Sequence, residues 1–195
     1  MPRIVCQGIT CILWPTVVYL NSKSGSAAAK RGISMEIIPI TEANDAIAGL
    51  ATLFRVELLS YRGREASPCP EAAREEITEY LAAGFPVFAA IIDGGYAGYM
   101  VCRVDGGTLW VESLYVREEF RRRGVASALH ARAEEIAASC GGDTVYNCVH
   151  PNNHRIIAFL RKRGYTVLNL IEIRRPWRGE ELTRTITVGE HEFDY

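Results

Sequence analysis

The sequence predicts an α/β protein with a mixed sheet, helices on the sheet faces and the order β-α-α-β-β-β-α-β-α-β. Three observations carry that expectation. Strand-like and helix-like segments alternate from Met35 onward. Asp93-Gly94-Gly95 and Asp105-Gly106-Gly107 separate three apolar runs. Asp-Gly marks a tight hairpin because both residues tolerate positive φ. Apolar residues also recur with the helical period around Leu50 and Leu129.

The elements follow in order. Ile37 to Ile40 reads as a short strand. Asn44 or Asp45 can cap a helix whose stripe is Ile47, Leu50, Ala51, Phe54 and Leu58. A loop with two prolines runs from Arg62 to Pro70. Glu71 to Ala83 is a second helix, with Ala73, Ile77, Tyr80 and Leu81 on one face and Gly84 as its stop. Val87 to Ile92, Gly98 to Val104 and Thr108 to Val116 are the hairpin strands. A long helix, about Gly124 to Cys140, carries the stripe Val125, Leu129, Ala133, Ile136 and Cys140 and ends at Gly141-Gly142. Thr144 to Val149 reads as a buried strand, and Asn153 to Arg163 as a helix closed by Gly164. Tyr165 to Ile173 is expected to be a further strand, with Thr183 to Val188 as a candidate for one more.

Composition narrows the function classes. The 195 residues are 48% hydrophobic and 23% charged, with a formal net charge of -1. This is a globular balance, unlike a disordered chain or a coiled-coil rod. A dedicated nucleic-acid binder would carry a strong basic excess, so no nucleic-acid partner is expected. Cys6, Cys11, Cys69, Cys102, Cys140 and Cys148 form no C-x-x-C pair, which reads as reduced, mostly buried thiols in a cytoplasmic protein. His150 and His154 stand four apart, but Pro151 lies between them, so no metal is expected.

Residues 1–34 contain no Asp or Glu. Arg3, an apolar run from Ile4 to Leu20 and the small residues up to Ala29 follow the layout of a signal peptide. The run is interrupted by Gln7, Thr10, Pro15 and Thr16, so no membrane span is expected. We read the segment as a disordered arm or an overextended start, with an export signal and a packed extension as the other readings. The expected organisation is this extension, one domain over 35–175 and a tail over 176–195 that could add a strand.

The most informative segment runs from Leu114 to Ala126, Leu-Tyr-Val-Arg-Glu-Glu-Phe-Arg-Arg-Arg-Gly-Val-Ala. A strand ends, a basic turn follows and a helix begins at a glycine. The first amides of a helix lack internal partners and, with the helix dipole, form an anion site. Gly124 and Ala126 lack bulk, and Arg121, Arg122 and Arg123 add charge. The expected ligand is a di- or polyphosphate. A solvated surface turn and a nucleic-acid patch are the competing readings.

Arg121-x-x-Gly124-x-Ala126 resembles the [Arg/Gln]-x-x-Gly-x-[Gly/Ala] signature of the GNAT N-acetyltransferase superfamily. Leu114-Tyr115-Val116 looks like that family's strand end before the signature. Asn153, Phe159-Leu160 and Gly164-Tyr165 match its downstream helix at the right offsets. The resemblance covers roughly Glu36 to Ile173 and implies a GNAT-like fold with acetyl-CoA as co-substrate. It implies that the amides of Arg122, Arg123, Gly124, Val125 and Ala126, with Ser127 beyond, hold the pyrophosphate. Leu114 and Val116 would offer main-chain groups to the pantetheine arm, and Asn153 would touch the cofactor or cap its helix.

The implied chemistry is direct attack of an amine on a thioester. A base must take a proton from the incoming ammonium, and the Leu114 amide would receive the oxyanion. Glu112 is the expected base, because the resemblance places a carboxylate there, and an ordinary strand glutamate is the competing reading. His150 is the second candidate. Where many family members carry a tyrosine acid this chain has Leu160; Tyr115, Tyr146 and Tyr165 lie near in sequence and none is assigned.

The acceptor is expected to be a small-molecule or protein amine. Nine acids against four bases between Glu36 and Tyr80 would suit a cationic acceptor, though solvated helix faces explain the same charges. The tail could extend the sheet, close the cleft or serve a homodimer. The alternative function is a non-catalytic CoA-binding regulatory module.

Overall fold

The computed structural model describes residues 34–195. The expectations for the N-terminal extension and for Cys6 and Cys11 concern residues outside that range. Of the four described cysteines, expected to be mostly buried, only Cys102 in the sheet core is, while Cys69, Cys140 and Cys148 sit exposed at or beyond element ends. The described chain forms β1 (Met35–Pro39), α1 (Asp45–Ser60), α2 (Pro70–Ala82), β2 (Val87–Ile92), β3 (Gly95–Asp105), β4 (Thr108–Val116), α3 (Val125–Ser139), β5 (Val145–Asn147), α4 (His154–Lys162), β6 (Thr185–Val188) and β7 (His191–Asp194). Strands β1 to β5 form one sheet in chain order. The first four pair antiparallel and β4 pairs with β5 in parallel, so the sheet is mixed as expected.

Local chemistry sets these bounds. Asn44 caps α1 by accepting from the Ile47 amide at 3.0 Å. Pro70 occupies the first turn of α2, where its missing N–H costs nothing. Asp93-Gly94 and Gly106-Gly107 all have positive φ, which suits the two-residue hairpin turns they make.

The two sheet faces build two cores by alternation along the strands. Val87, Ala89, Tyr99 and Val101 pack under Ile47, Leu50 and Ala51 of α1 and Ala73 and Ile77 of α2. Phe88, Ala90, Ile92, Met100, Cys102, Leu109 and Val111 pack on Val125, Leu129, Ala133 and Ile136 of α3. Each such fully buried large side chain contributes about 1.5–3 kcal/mol. Gly98 on β3 faces Val116, and a Cβ built there would stand 2.6 Å from the Tyr115 carbonyl oxygen. The end of β4 therefore lies against β3 at a distance that only a glycine permits.

The expected strand over Tyr165 to Ile173 is not formed. Val167 is 87% exposed, and Leu168, Leu170 and Ile173 are also largely exposed. A strand needs a hydrogen-bonded neighbour, and β5 presents only three residues at the sheet edge. The β-forming composition of this segment meets no partner long enough to hold it. The chain instead ends in a separate hairpin of β6 and β7, of which only β6 was expected.

His130 of α3 is fully buried between α3, α4 and β5. Its Nε2 lies 3.3 Å from Asn147 Oδ1, and the rings of Phe159 and Tyr165 meet it edge-on. Its Nδ1 stands 3.3 Å from a Glu134 oxygen without hydrogen-bond alignment. Burial lowers its pKa, against the opposing effect of Asn147 and Glu134, while Arg163 lowers it further. The folded protein thus resists a proton that the unfolded chain accepts below about pH 6.5. Stability is expected to be level above that pH and to fall as the solution is acidified below it. Melting temperatures from pH 7.5 to 5.5 should show the fall, and His130→Leu should make it shallower. Glu134 has a lowered pKa because hydrogen bonds from Arg163 and Tyr165 outweigh its desolvation, so its contribution is lost only at lower pH. An equal slope in parent and variant would remove His130 as the cause.

Candidate active site

The site is built where β4 outruns β5. Parallel pairing joins Leu109 to Val145, Trp110 to Tyr146 and Val111 to Asn147, then stops. From Glu112 to Val116, β4 is paired with β3 alone, which leaves its other edge open. That edge carries unpaired main-chain groups, a template for an extended ligand.

A 3-10 turn over Glu118–Phe120 carries the chain from this edge toward α3. Arg122 has φ of 63° and Gly124 φ of 85°, so two left-handed residues lie between that turn and α3. A non-glycine residue in that region costs of order 1–3 kcal/mol, and such residues cluster at functional sites. Gly124 is the N-cap of α3 and no side chain caps the helix. The first intrahelical bond is Ala128 to the Gly124 carbonyl, which leaves the amides of Val125, Ala126 and Ser127 without an intrahelical acceptor. A Cβ built on Gly124 meets nothing within 4 Å beyond its chain neighbours, so the space beside this residue is open.

The sequence-predicted residues do not all contribute in the same way. Arg122 and Arg123 are exposed at the turn, and among the described residues neither has a carboxylate partner. Val125 is a core side chain and offers only its amide. Ser127 is exposed beside that amide set. Arg121 points inward: its Nε donates to the Val116 carbonyl at 3.0 Å and its Nη2 to Glu57 at 2.8 Å. The Val116 carbonyl therefore already has one donor. Asn153 caps α4, accepting from the Ile156 amide at 3.2 Å.

Glu112 is the extra residue of a bulge: Val101 pairs with Ser113 and Cys102 with Val111. The bulge falls where β4 passes beyond β5. Arg103 of β3 donates to the Glu112 carboxylate through Nε at 2.6 Å. The Arg103 guanidinium also lies over Trp110, whose ring is tilted against that of Tyr146 at 4.8 Å.

His150 follows β5 and stacks between Tyr61 and Tyr195, at 6.2 and 5.6 Å. Burial and then the charge of Arg62 lower its pKa. Leu160 is buried, so its position presents no acid. Tyr165 donates to Glu134 at 3.0 Å and is tied up away from this edge. Tyr115 lies under the Arg121 guanidinium, and burial raises its pKa.

Sequence reasoning missed a cluster around Glu57. Its carboxylate accepts from Arg121, Arg155 and the Tyr61 hydroxyl. The spacing of Glu57 and Tyr61 by one helical turn was the visible signal; the arginines come from distant segments. Among the nine acids of the acceptor region, Asp45 is ion-paired with Arg74, Glu76 with Arg55 and Glu57 with two arginines.

Among the described residues no group of His, Cys, Asp and Glu is arranged to hold a metal, and no helix is long and apolar enough to cross a membrane.

The sequence has no match among curated proteins. Solved structures do resemble it. The aminoglycoside N-acetyltransferase AAC(6')-Iy in complex with CoA is 20% identical, with a TM-score of 0.58 over 76% of this chain and 98% of that one. The same enzyme with a bisubstrate analogue gives 19% identity and a TM-score of 0.57 over 74% and 99%. A GCN5-related N-acetyltransferase from Ralstonia eutropha gives 19% identity and a TM-score of 0.54 over 74% and 99%. At these identities the likeness establishes the fold. The model of the Acetyltransferase (GNAT) family matches residues 50–165, more than half of the sequence, and spans the open edge, the basic turn and α4. The chain belongs to the GNAT acetyltransferase family.

Proposed function

We propose that the protein transfers an acetyl group from acetyl-CoA to a primary amine held in the same complex. The observation that carries this reading is the uncapped start of α3 at Gly124, set beside the open edge of β4. The unpartnered Val125, Ala126 and Ser127 amides and the open space beside Gly124 would suit a diphosphate, and Arg122 and Arg123 add positive charge. Main-chain groups of Leu114 and Val116 lie on the edge where an amide-bearing arm could pair in strand fashion. Arg121 serves by shaping the turn rather than by meeting the ligand, and Asn153 by holding the start of α4.

Acetyl-CoA supplies the activated carbonyl. The protein must orient the amine and remove its proton. Glu112 is the base we propose, a carboxylate at the bulge where β4 passes beyond β5 and bonded to Arg103. His150, stacked on Tyr61 and Tyr195, is the second candidate. The Leu114 amide is the donor proposed for the developing oxyanion. The acceptor is proposed to be a small polar amine, a reading supported by the aminoglycoside enzymes among the structural neighbours. The functional domain is proposed to span 35–175 and to act in the cytoplasm.

The burial of Leu160 favours a second reading, a CoA-binding module without turnover, because the usual acid is missing. Free thiol measured with acetyl-CoA and a panel of aminoglycosides, polyamines and amino-terminal peptides separates the two. Thiol release with a small amine supports the enzyme. CoA binding without release from any amine class supports the module.

A further inference from the structure

The site's two limbs, the turn before α3 and the start of α4, are joined by one side chain that belongs to neither. Glu57 lies on α1, 64 residues from Arg121 and 98 from Arg155. One carboxylate oxygen accepts from Arg121 Nη2 at 2.8 Å. The other accepts from Arg155 in the first turn of α4 and from the Tyr61 hydroxyl at 2.5 Å. Arg155 also donates to that hydroxyl at 3.1 Å, and Asn152, just before α4, donates to the Tyr61 carbonyl at 2.8 Å. Both Glu57 and Arg121 side chains are about three-quarters buried, at 25% and 24% exposure. The pair is therefore better shielded than an ordinary surface bridge, whose contribution is small.

We propose that Glu57 is a positioning residue for the cofactor: its carboxylate sets the separation of the α3 turn and the α4 start, and so the width of the CoA cleft. This rests on the reading given under Proposed function. Arg121 can cap the Val116 carbonyl only while its other end is held, and the anchor for that end is Glu57. Without it, three adjacent arginines share one turn and repel. With it, Arg121 is drawn inward and leaves Arg122 and Arg123 at the phosphate cradle. Two guanidinium groups on one carboxylate also leave the cluster one positive charge in surplus near an anionic ligand.

The test is CoA titration and steady-state kinetics on the full chain for the parent, Glu57→Gln, Arg155→Met and the double variant. Glu57→Gln should raise the Kd for CoA and the KM for acetyl-CoA about tenfold, which is about 1.4 kcal/mol, with kcat at saturation within about twofold. Arg155→Met should weaken binding in the same direction by about threefold, because it removes one of the two arms. The double variant should be no worse than Glu57→Gln, because Arg155 acts through that carboxylate. Arg155 is more than half exposed and its variant tests the tie even if Glu57→Gln melts below the assay temperature. Unchanged CoA affinity in both single variants overturns the proposal and leaves the cradle standing, as does a loss confined to kcat. A parent that binds no CoA overturns the cradle and this proposal with it.

Discussion

Gly124→Val is expected to weaken CoA binding by about a hundredfold or more. Two effects combine. At φ of 85° any residue with a Cβ is strained, by roughly 1–2 kcal/mol. The side chain would also occupy the open space beside Gly124, next to the amides that the proposed phosphate must approach to within hydrogen-bond distance. Gly124→Ala separates the two. It carries the strain with little bulk and should lower the melting temperature about as much, while weakening CoA less. Calorimetric titration with CoA and melting without it give both quantities. Full affinity in the valine variant would place the phosphates elsewhere on the protein.

Glu112→Gln is expected to lower kcat by about a hundredfold to ten-thousandfold, the usual range for a lost general base, with CoA affinity unchanged. The amide oxygen can still accept from Arg103 Nε, which now bonds the carboxylate at 2.6 Å. The bulge and the strand should therefore survive, so the variant removes the base and little else. Thiol release under saturating acetyl-CoA and amine measures the effect. A variant with parental kcat would pass the role to another group, with His150 next to be replaced.

Much of the fold could be read in the sequence because its signals are local. Asp93-Gly94 and Gly106-Gly107 dictate hairpins through their own backbone freedom, and the stripe from Ile47 to Phe54 needs only its own period. The uncapped glycine start of α3 was legible for the same reason, since Gly124 and the following amides are neighbours in the chain. Pairing is not local. The run from Val167 to Ile173 has the composition of a strand, but its fate rests on the three-residue edge of β5. The Glu112 carboxylate could be guessed, whereas its bulge and its Arg103 partner depend on how β3 and β4 register. The Glu57 cluster lay furthest from view, because it is assembled from three segments of the chain.

Two glycines border the working end of β4 and answer to different masters. Any methyl at 98 collides with a neighbouring carbonyl of the chain itself, whereas a methyl at 124 meets no such neighbour and would enter only the space proposed for another molecule. A library of variants sorted only by solubility would discard changes at the first position and retain many at the second. Sorting by catalysis would discard both, so the contrast between the two sorts distinguishes scaffold from ligand contact.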